Sequence, residues 1–461
     1  MSIPRRELFK SIGFLGLAAQ LSPWAFSKVS PKNLDLVAKA EQMTWFSDGN
    51  ETEVWGYSKS VIELNQYVNT VITFTNNLPE PTSVHWHGIA VENSMDGVSG
   101  LTQEPVEPGE KFEYKITPKD AGTYWAHAHH DTYRQLALGL YTPIIVHEAI
   151  SYHVEHDLLF VADDWLLNRS EQIDSESFED AHAWSHGGRM GNMLTINRSR
   201  NPELIVSAGS RVRLRVLNAA NSRIMSFSFP DLTAHIVAKD GQPLEQPMKM
   251  SDMLLLAPAE RYDLVIDIPS DWIGSYPIYE SSGKKPFLAA TWNVSDEEIY
   301  ERKLGSVLPL PRNPLPLLLE ENDHSVTLKM EGGAMGNLKA AYYQGEKLSV
   351  NQLTKQRQFW TFNGIANLPE QPLLQVKVGD TVEITLDNTT PWPHAMHLHG
   401  HHFFAKSSQL KSEIWQDTIL VERQEAESIR FVATSPGKWL LHCHMIEHQV
   451  SGMVTYVEVL E

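Results

Sequence analysis

Between Gly209 and Asn218 apolar and basic positions alternate: Val212, Leu214 and Val216 are interleaved with Arg211, Arg213 and Arg215. A period of two marks an extended strand with one face buried, so this stretch is predicted as a half-buried antiparallel strand. The arrangement recurs twice. Val68-Asn69-Thr70-Val71 runs on to Asn77, and Gly379-Asp380-Thr381-Val382 runs on to Asn388. Each copy has a turn, a valine three residues in, and an alternating strand ending in asparagine. Three such echoes predict three similar β-domains, at roughly 30–150, 151–305 and 320–461. Shorter alternations such as Phe112/Tyr114/Ile116 and Ile144/Val146 make the fold class all-β and the domains β-sandwiches. Pro309, Pro311, Pro314 and Pro316 mark residues 306–319 as a stiff, extended linker before the third domain. The first boundary falls near His147 to His156.

The same alternation places the candidate chemistry. Phe431-Val432 to Trp439-Leu440 reads as strand, Pro436-Gly437 turn and strand, leading into Leu441-His442-Cys443-His444. On an extended strand Cys443 points one way and His442 and His444 the other, so one strand serves two sites back to back. Cys443 is the only cysteine in the chain. His448 five residues on and Met453 ten residues on complete a thiolate, imidazole and thioether set. With a second histidine, that set makes a blue-copper electron-transfer site. His394, in Pro393-His394-Ala395-Met396-His397-Leu398-His399, is free to be that histidine. His397 and His399 form a His-x-His pair like His442 and His444. Two more pairs are His85-Trp86-His87 and His127-Ala128-His129. A single such pair is most often structural. Four of them beside the Cys443 constellation point to metal.

These four motifs resemble those of the multicopper oxidases, in particular three-domain, laccase-like bacterial members, and the likeness covers nearly the whole chain. It implies three cupredoxin-like Greek-key β-sandwich domains and four coppers. His394, Cys443, His448 and Met453 would hold the mononuclear type 1 copper. His85 and His397 would hold the type 2 copper, with His87, His127 and His444 on one type 3 copper and His129, His399 and His442 on the other. The expected activity is one-electron oxidation of a phenol, an aromatic amine, Cu(I) or Fe(II), coupled to reduction of dioxygen to water. Two other readings stand beside it: an exported copper-binding or copper-tolerance protein with incidental oxidase activity, and a copper-free scaffold relative. All twelve ligand positions are filled, which argues against the second. The first and third domains each supply two histidine pairs and the second none. The cluster is therefore expected where domains one and three meet, with domain two as a spacer and a wall of the substrate site.

The formal charge of −19 disfavours nucleic acid and anionic membranes as partners, and no apolar run after the N-terminus is long enough to span a membrane. A monomer is expected. Arg5-Arg6 precede the apolar run Ile12 to Leu21, and Ala25-Phe26-Ser27 suits cleavage. Residues 1–27 therefore read as an export signal of the twin-arginine type, making the protein periplasmic or otherwise exported. Pro4 and the Leu8-Phe9 order depart from the usual motif. A lone cysteine excludes an internal disulfide, and metal ligation is a reason to keep it.

Asp96, in Met95-Asp96-Gly97, is a turn aspartate by itself, and the resemblance implies a proton relay beside the cluster. Glu447 is a candidate partner for a ligand histidine. Gln449 stands where some relatives place a proton-donating acid. Glu413 and Asp417 read as ordinary strand or loop acids, with a place beside the type 1 copper as the alternative. Met190, Met193, Met248, Met250 and Met253 are too few to make a methionine-rich copper site. His130, His401 and His402 read as packing or supporting groups.

Overall fold

A computed structural model describes residues 32–47, 49–301 and 305–461, so the expected signal at 1–27 lies outside the described residues. The chain is 49% strand and 7% helix, and it folds as three cupredoxin-like β-sandwiches. In the first, a sheet ordered Thr52–Tyr57, Lys32–Met43, Thr70–Asn76 and Lys111–Ile116 shares a core with a second sheet, ordered Ile62–Asn65, Tyr141–His147, Gly122–Ala128 and Val84–His87. Strands from His156–Trp165 to Phe287–Ile299 build the second sandwich from a six- and a five-stranded sheet. Strands from His324–Gly332 to Val454–Leu460 build the third in the same way, with an added hairpin.

The repeated strand differs from its expected form in three respects. It lies in a mixed sheet: Arg211–Asn218 pairs antiparallel with Arg261–Asp267 but parallel with His156–Trp165. The same parallel pairing joins Lys32–Met43 to Thr70–Asn76, and His324–Gly332 to Thr381–Asn388. Each parallel pair needs a crossover, and here the intervening chain visits the opposite sheet. Nor is Arg211–Asn218 half-buried. Arg213 and Arg215 are 2% and 0% exposed, because their face is covered by the first domain and its linker. Arg213 pairs with Glu148 (2.6 Å) and Asp263 (2.5 Å), and Arg215 with Asp157 (2.6 Å) and the Thr123 hydroxyl (3.0 Å).

Register is the third difference. The first copy ends at Asn76, one residue before the expected Asn77. Asn76, Asn218 and Asn388 are each buried and do the same work. Each side-chain oxygen accepts from the backbone N–H two residues on, at Leu78, Ala220 and Thr390. Each amide nitrogen donates to carbonyls of two loops: Glu80 and Val106, Arg223 and Leu256, Trp392 and Glu422. A slip of one residue exchanges the two faces of a strand. Thr70 rather than Val71 is accordingly the buried member.

Two strand pairs carry the histidines. Val84–His87 runs beside Gly122–Ala128 with His85 opposite His127, and His394–Leu398 runs beside Gly437–Cys443 with His397 opposite His442. The linker has no regular structure, but Asn313 bonds to both backbone groups of Ala121 and to the Gly241 carbonyl, lacing it to the first two domains.

Candidate metal centre

Strand Gly437–Cys443 has two buried faces. On one, the Cys443 sulfur lies 3.6 Å from His394 Nδ1 and 3.8 Å from His448 Nδ1. Met453 is fully buried in the same core cluster. Its backbone holds it there: the Cys443 N–H donates to the Met453 carbonyl, and the Met453 N–H donates to that of His448. Trp360 walls this side, its ring 4.3 Å from that of His448 and 5.1 Å from that of His394. On the other face, the His442 ring reaches those of His129, His397 and His399, and the His444 ring reaches those of His87, His127 and His397.

The eight imidazoles of the four pairs thus meet in one cluster between domains one and three, each at most 6% exposed. The rings of His85 and His399 stack at 3.8 Å, and those of His87 and His397 at 3.7 Å. His129, His399 and His442 have nitrogens close enough to share one ion. So do His85 with His397 and His399, and His85 with His87 and His127. His444 joins no such trio, although its ring lies 5.1 Å from that of His87 and 5.2 Å from that of His127.

Hydrogen bonding shows which nitrogens are left for a metal. A nitrogen facing a carbonyl or carboxylate must donate, so a neutral ring then carries its lone pair on the other nitrogen. Nδ1 donates in His85 (to the Asp96 carbonyl, 2.8 Å), His127 (Ala128 carbonyl, 3.0 Å), His397 (Asp417 carbonyl, 2.7 Å), His442 (Cys443 carbonyl, 3.0 Å) and His399 (Asp96 Oδ2, 2.9 Å). In His87 the sense is reversed, with Nε2 donating to Asp417 Oδ1 at 3.2 Å. The opposite nitrogens of His85, His87, His127 and His397 are buried without any partner, as are His129 Nε2 and both nitrogens of His444. Those of His399 and His442 face each other at 3.1 Å. At the Cys443 site, His448 Nε2 donates to the His186 carbonyl (2.7 Å), and its Nδ1 lone pair lies 3.1 Å from His394 Nδ1.

Buried lone pairs without donors are costly, and a cation resolves them. The donor set of sulfur and imidazoles suits copper. Burial first, and neighbouring imidazoles second, push the pKa of His87, His127, His129, His397 and His399 well below the usual value, keeping them neutral as ligands must be. Burial first, with a smaller contribution from the Glu447 carboxylate, pushes the Cys443 thiol up to about 12. Its proton leaves only in exchange for a bound cation.

The remaining candidates divide. Asp96 is 1% exposed and bridges two domains through His85 and His399, which is more than a turn requires. Asp417 is neither an ordinary acid nor a neighbour of Cys443: it is buried against His87 and His397 on the cluster side. The linear sequence carries no sign of this, because strand Thr418–Val421 reaches the cluster only by pairing with His394–Leu398. Glu413 lies exposed on Glu413–Gln416. Glu447 bonds Asn221 Nδ2 (3.0 Å) and Ser222 Oγ (2.5 Å), tying helix Ile446–Val450 to domain two rather than holding a ligand ring. The Gln449 Oε1 is buried without a partner. His401 packs on Trp439, and His402 contacts Gln242 and the Asp240 carbonyl. The His186 carbonyl, beside the Cys443 site, was invisible in the sequence because a main-chain acceptor has no side-chain signature.

Family models described as multicopper oxidase match residues 39–150, 156–294 and 342–461. The multicopper oxidase MmcO of Mycobacterium tuberculosis is 28% identical over 439 residues, spanning 85% of this chain and 79% of its own. The crystal structure of Lac15 from a marine microbial metagenome is 31% identical, with a TM-score of 0.73 over 92% of this chain and 100% of that one. The multicopper oxidase of Pseudomonas thermotolerans, also a crystal structure, is 26% identical, with a TM-score of 0.81 over 93% and 99%. With three matched domains and these relatives along almost its full length, the chain belongs to the multicopper oxidase family of copper-dependent, oxygen-using oxidoreductases.

Proposed function

We propose that this chain is an exported four-copper oxidase. His394, Cys443, His448 and Met453 hold a type 1 copper. His85 and His397 hold a type 2 copper, His87, His127 and His444 one type 3 copper, and His129, His399 and His442 the other. Copper bound there would supply single-electron exchange with a donor at the Cys443 site and four-electron reduction of dioxygen to two waters at the histidine cluster.

The observation that carries this reading is the double use of strand Gly437–Cys443. Cys443 is turned to His394 and His448, and its two covalent neighbours are turned to the eight-imidazole cluster. The backbone itself is then the shortest connection between the two sites. Asp96 orients His85 and His399, and its Oδ1, buried 3.3 Å from His85 Nδ1 without accepting a hydrogen bond, is the atom that takes up or hands over a proton beside the cluster. His448 is the ligand facing domain two, and its Nε2–H to the His186 carbonyl fixes that ring. Domain two therefore walls the donor side. The donors are phenols, aromatic amines, Cu(I) or Fe(II). The paired arginines near the N-terminus support export through the twin-arginine route, which delivers folded proteins to the periplasm.

Oxygen uptake with a panel of phenols, Cu(I) and Fe(II) tests the reading. Four donor electrons should be consumed per dioxygen with no peroxide released, and Cys443→Ser should lose both the blue band and turnover. Copper binding without turnover on any donor would favour a sequestering protein instead.

A further inference from the structure

Domain two supplies no histidine to the cluster, yet it places a charged side chain against it. Arg261 opens strand Arg261–Asp267 and is fully buried. Its guanidinium makes a two-toothed bond to Asp417 of domain three, Nη1 to Oδ1 at 2.7 Å and Nη2 to Oδ2 at 2.6 Å. Nε donates to the Thr123 carbonyl of domain one at 3.3 Å. Asp240, also of domain two, grips the same segment from its backbone: Oδ2 accepts from the N–H of Asp417 (3.3 Å) and of Thr418 (3.2 Å), and Oδ1 from that of Arg261 (2.9 Å). Asp417 then holds one histidine of domain one, His87, through Oδ1, and one of its own domain, His397, through its carbonyl. The Gly after His87 fits this arrangement. Gly88 has φ +85°, and a Cβ there would lie 2.5 Å from Arg261 Nη2 and 2.6 Å from Asp417 Oδ2.

We propose that Arg261, with Asp240, is a positioning residue for the metal cluster. By fixing Asp417 it sets the rings of His87 and His397. It also keeps occupied a carboxylate that lies among the ligand atoms and would otherwise bind metal itself. A domain without ligands thereby controls ligand geometry and geometric selectivity at the junction of the other two. The bond is planar and two-toothed, so it depends on guanidinium shape as well as charge. The inference rests on the reading of His87 and His397 as copper ligands.

The test uses the full-length copper-loaded protein and two variants, Arg261→Lys and Asp417→Asn. Lys keeps a cation against Asp240 and Asp417, and Asn keeps the size of Asp, so at least one should fold. Copper per chain, the blue band, and the electron paramagnetic resonance of the type 2 copper are measured on each. Both variants should keep the blue band and its reduction potential, show a changed type 2 hyperfine splitting, and hold cluster copper about 10- to 100-fold more weakly, as loss of an outer partner does. Arg261→Lys added to Asp417→Asn should change the type 2 signal no further, because Arg261 acts through Asp417. Wild-type copper retention and an unchanged type 2 signal in either folded single variant would overturn the proposal. A wild-type protein lacking cluster copper would instead overturn the ligand assignment beneath it.

Discussion

As the proposed axial ligand of the Cys443 site, Met453 would contribute only a thioether, yet one that tunes it. A long axial sulfur adds little to copper retention beside a thiolate and two imidazoles, but its electron density favours Cu(II) over Cu(I). Met453→Leu keeps volume and apolarity in a fully buried position and should cost less than about 1.5 kcal/mol. A redox titration of the blue band should show a still-blue protein with a raised potential. An unchanged or lower potential would reduce Met453 to core packing. Asp96 gives a second residue-scale expectation. Asp96→Asn replaces the carboxyl group beside the cluster with an amide that cannot relay a proton in the same way, so dioxygen reduction should slow at near-normal copper content, read by stopped-flow reoxidation across pH. At this scale the convergence of the eight imidazoles and of Cys443 with His394 and His448 was legible because strand period and histidine spacing are both local. Asp417 and Arg261 were not, because 156 residues separate them and only tertiary packing brings them together.

Strands and their end-loops show what the repeats are for. The terminal asparagine of each repeated strand is a buried tie between two loops, and in the third domain one of those loops presents His394: Thr390 bonds both Asn388 and His394 Nε2. Asn388→Ala should therefore do two things. It should leave buried backbone groups unpaired, at about 1–3 kcal/mol each, and it should shift the blue band by freeing the loop. Asn218→Ala makes a comparable loss in domain two and should lower the melting temperature without moving that band. Equal spectral shifts in both variants would mean that the tie has no special role at the metal site. The existence of these strands was readable from alternation. Their parallel partners and the Asn76 register were not, because pairing and slip are decided by the opposing sheet rather than by the strand itself.

At the scale of the molecule, the second domain is the element whose role the sequence most understated. It appeared as a spacer because it lacks histidine pairs. In the structure Arg213 meets Glu148 at the end of domain one, Lys239 meets Gln416 of domain three (2.5 Å), and Arg261 meets Asp417. Charges buried in this way stay put only when paired, so the two ligand-bearing domains are held at a fixed separation. Among the described residues no helix is long and apolar enough to cross a membrane. Copper bound as proposed would tie the junction together through nitrogens that are buried without a partner, those of His85, His87 and His127 from domain one and of His397 and His444 from domain three. A ligand bound only by the native state, at about 100 times its dissociation constant, adds roughly 2.7 kcal/mol. Chelated protein should accordingly melt at a lower temperature, and added copper should restore it. Identical melting with and without copper would contradict coupling of the metal to the domain junction.

The most direct measurement is anomalous diffraction at the copper absorption edge from crystals of the copper-loaded protein. Four peaks are predicted: one bounded by His394, Cys443, His448 and Met453, and three among His85, His87, His127, His129, His397, His399, His442 and His444. A single peak at Cys443 with an empty histidine cluster, or copper bound away from both sites, would contradict a four-copper oxidase.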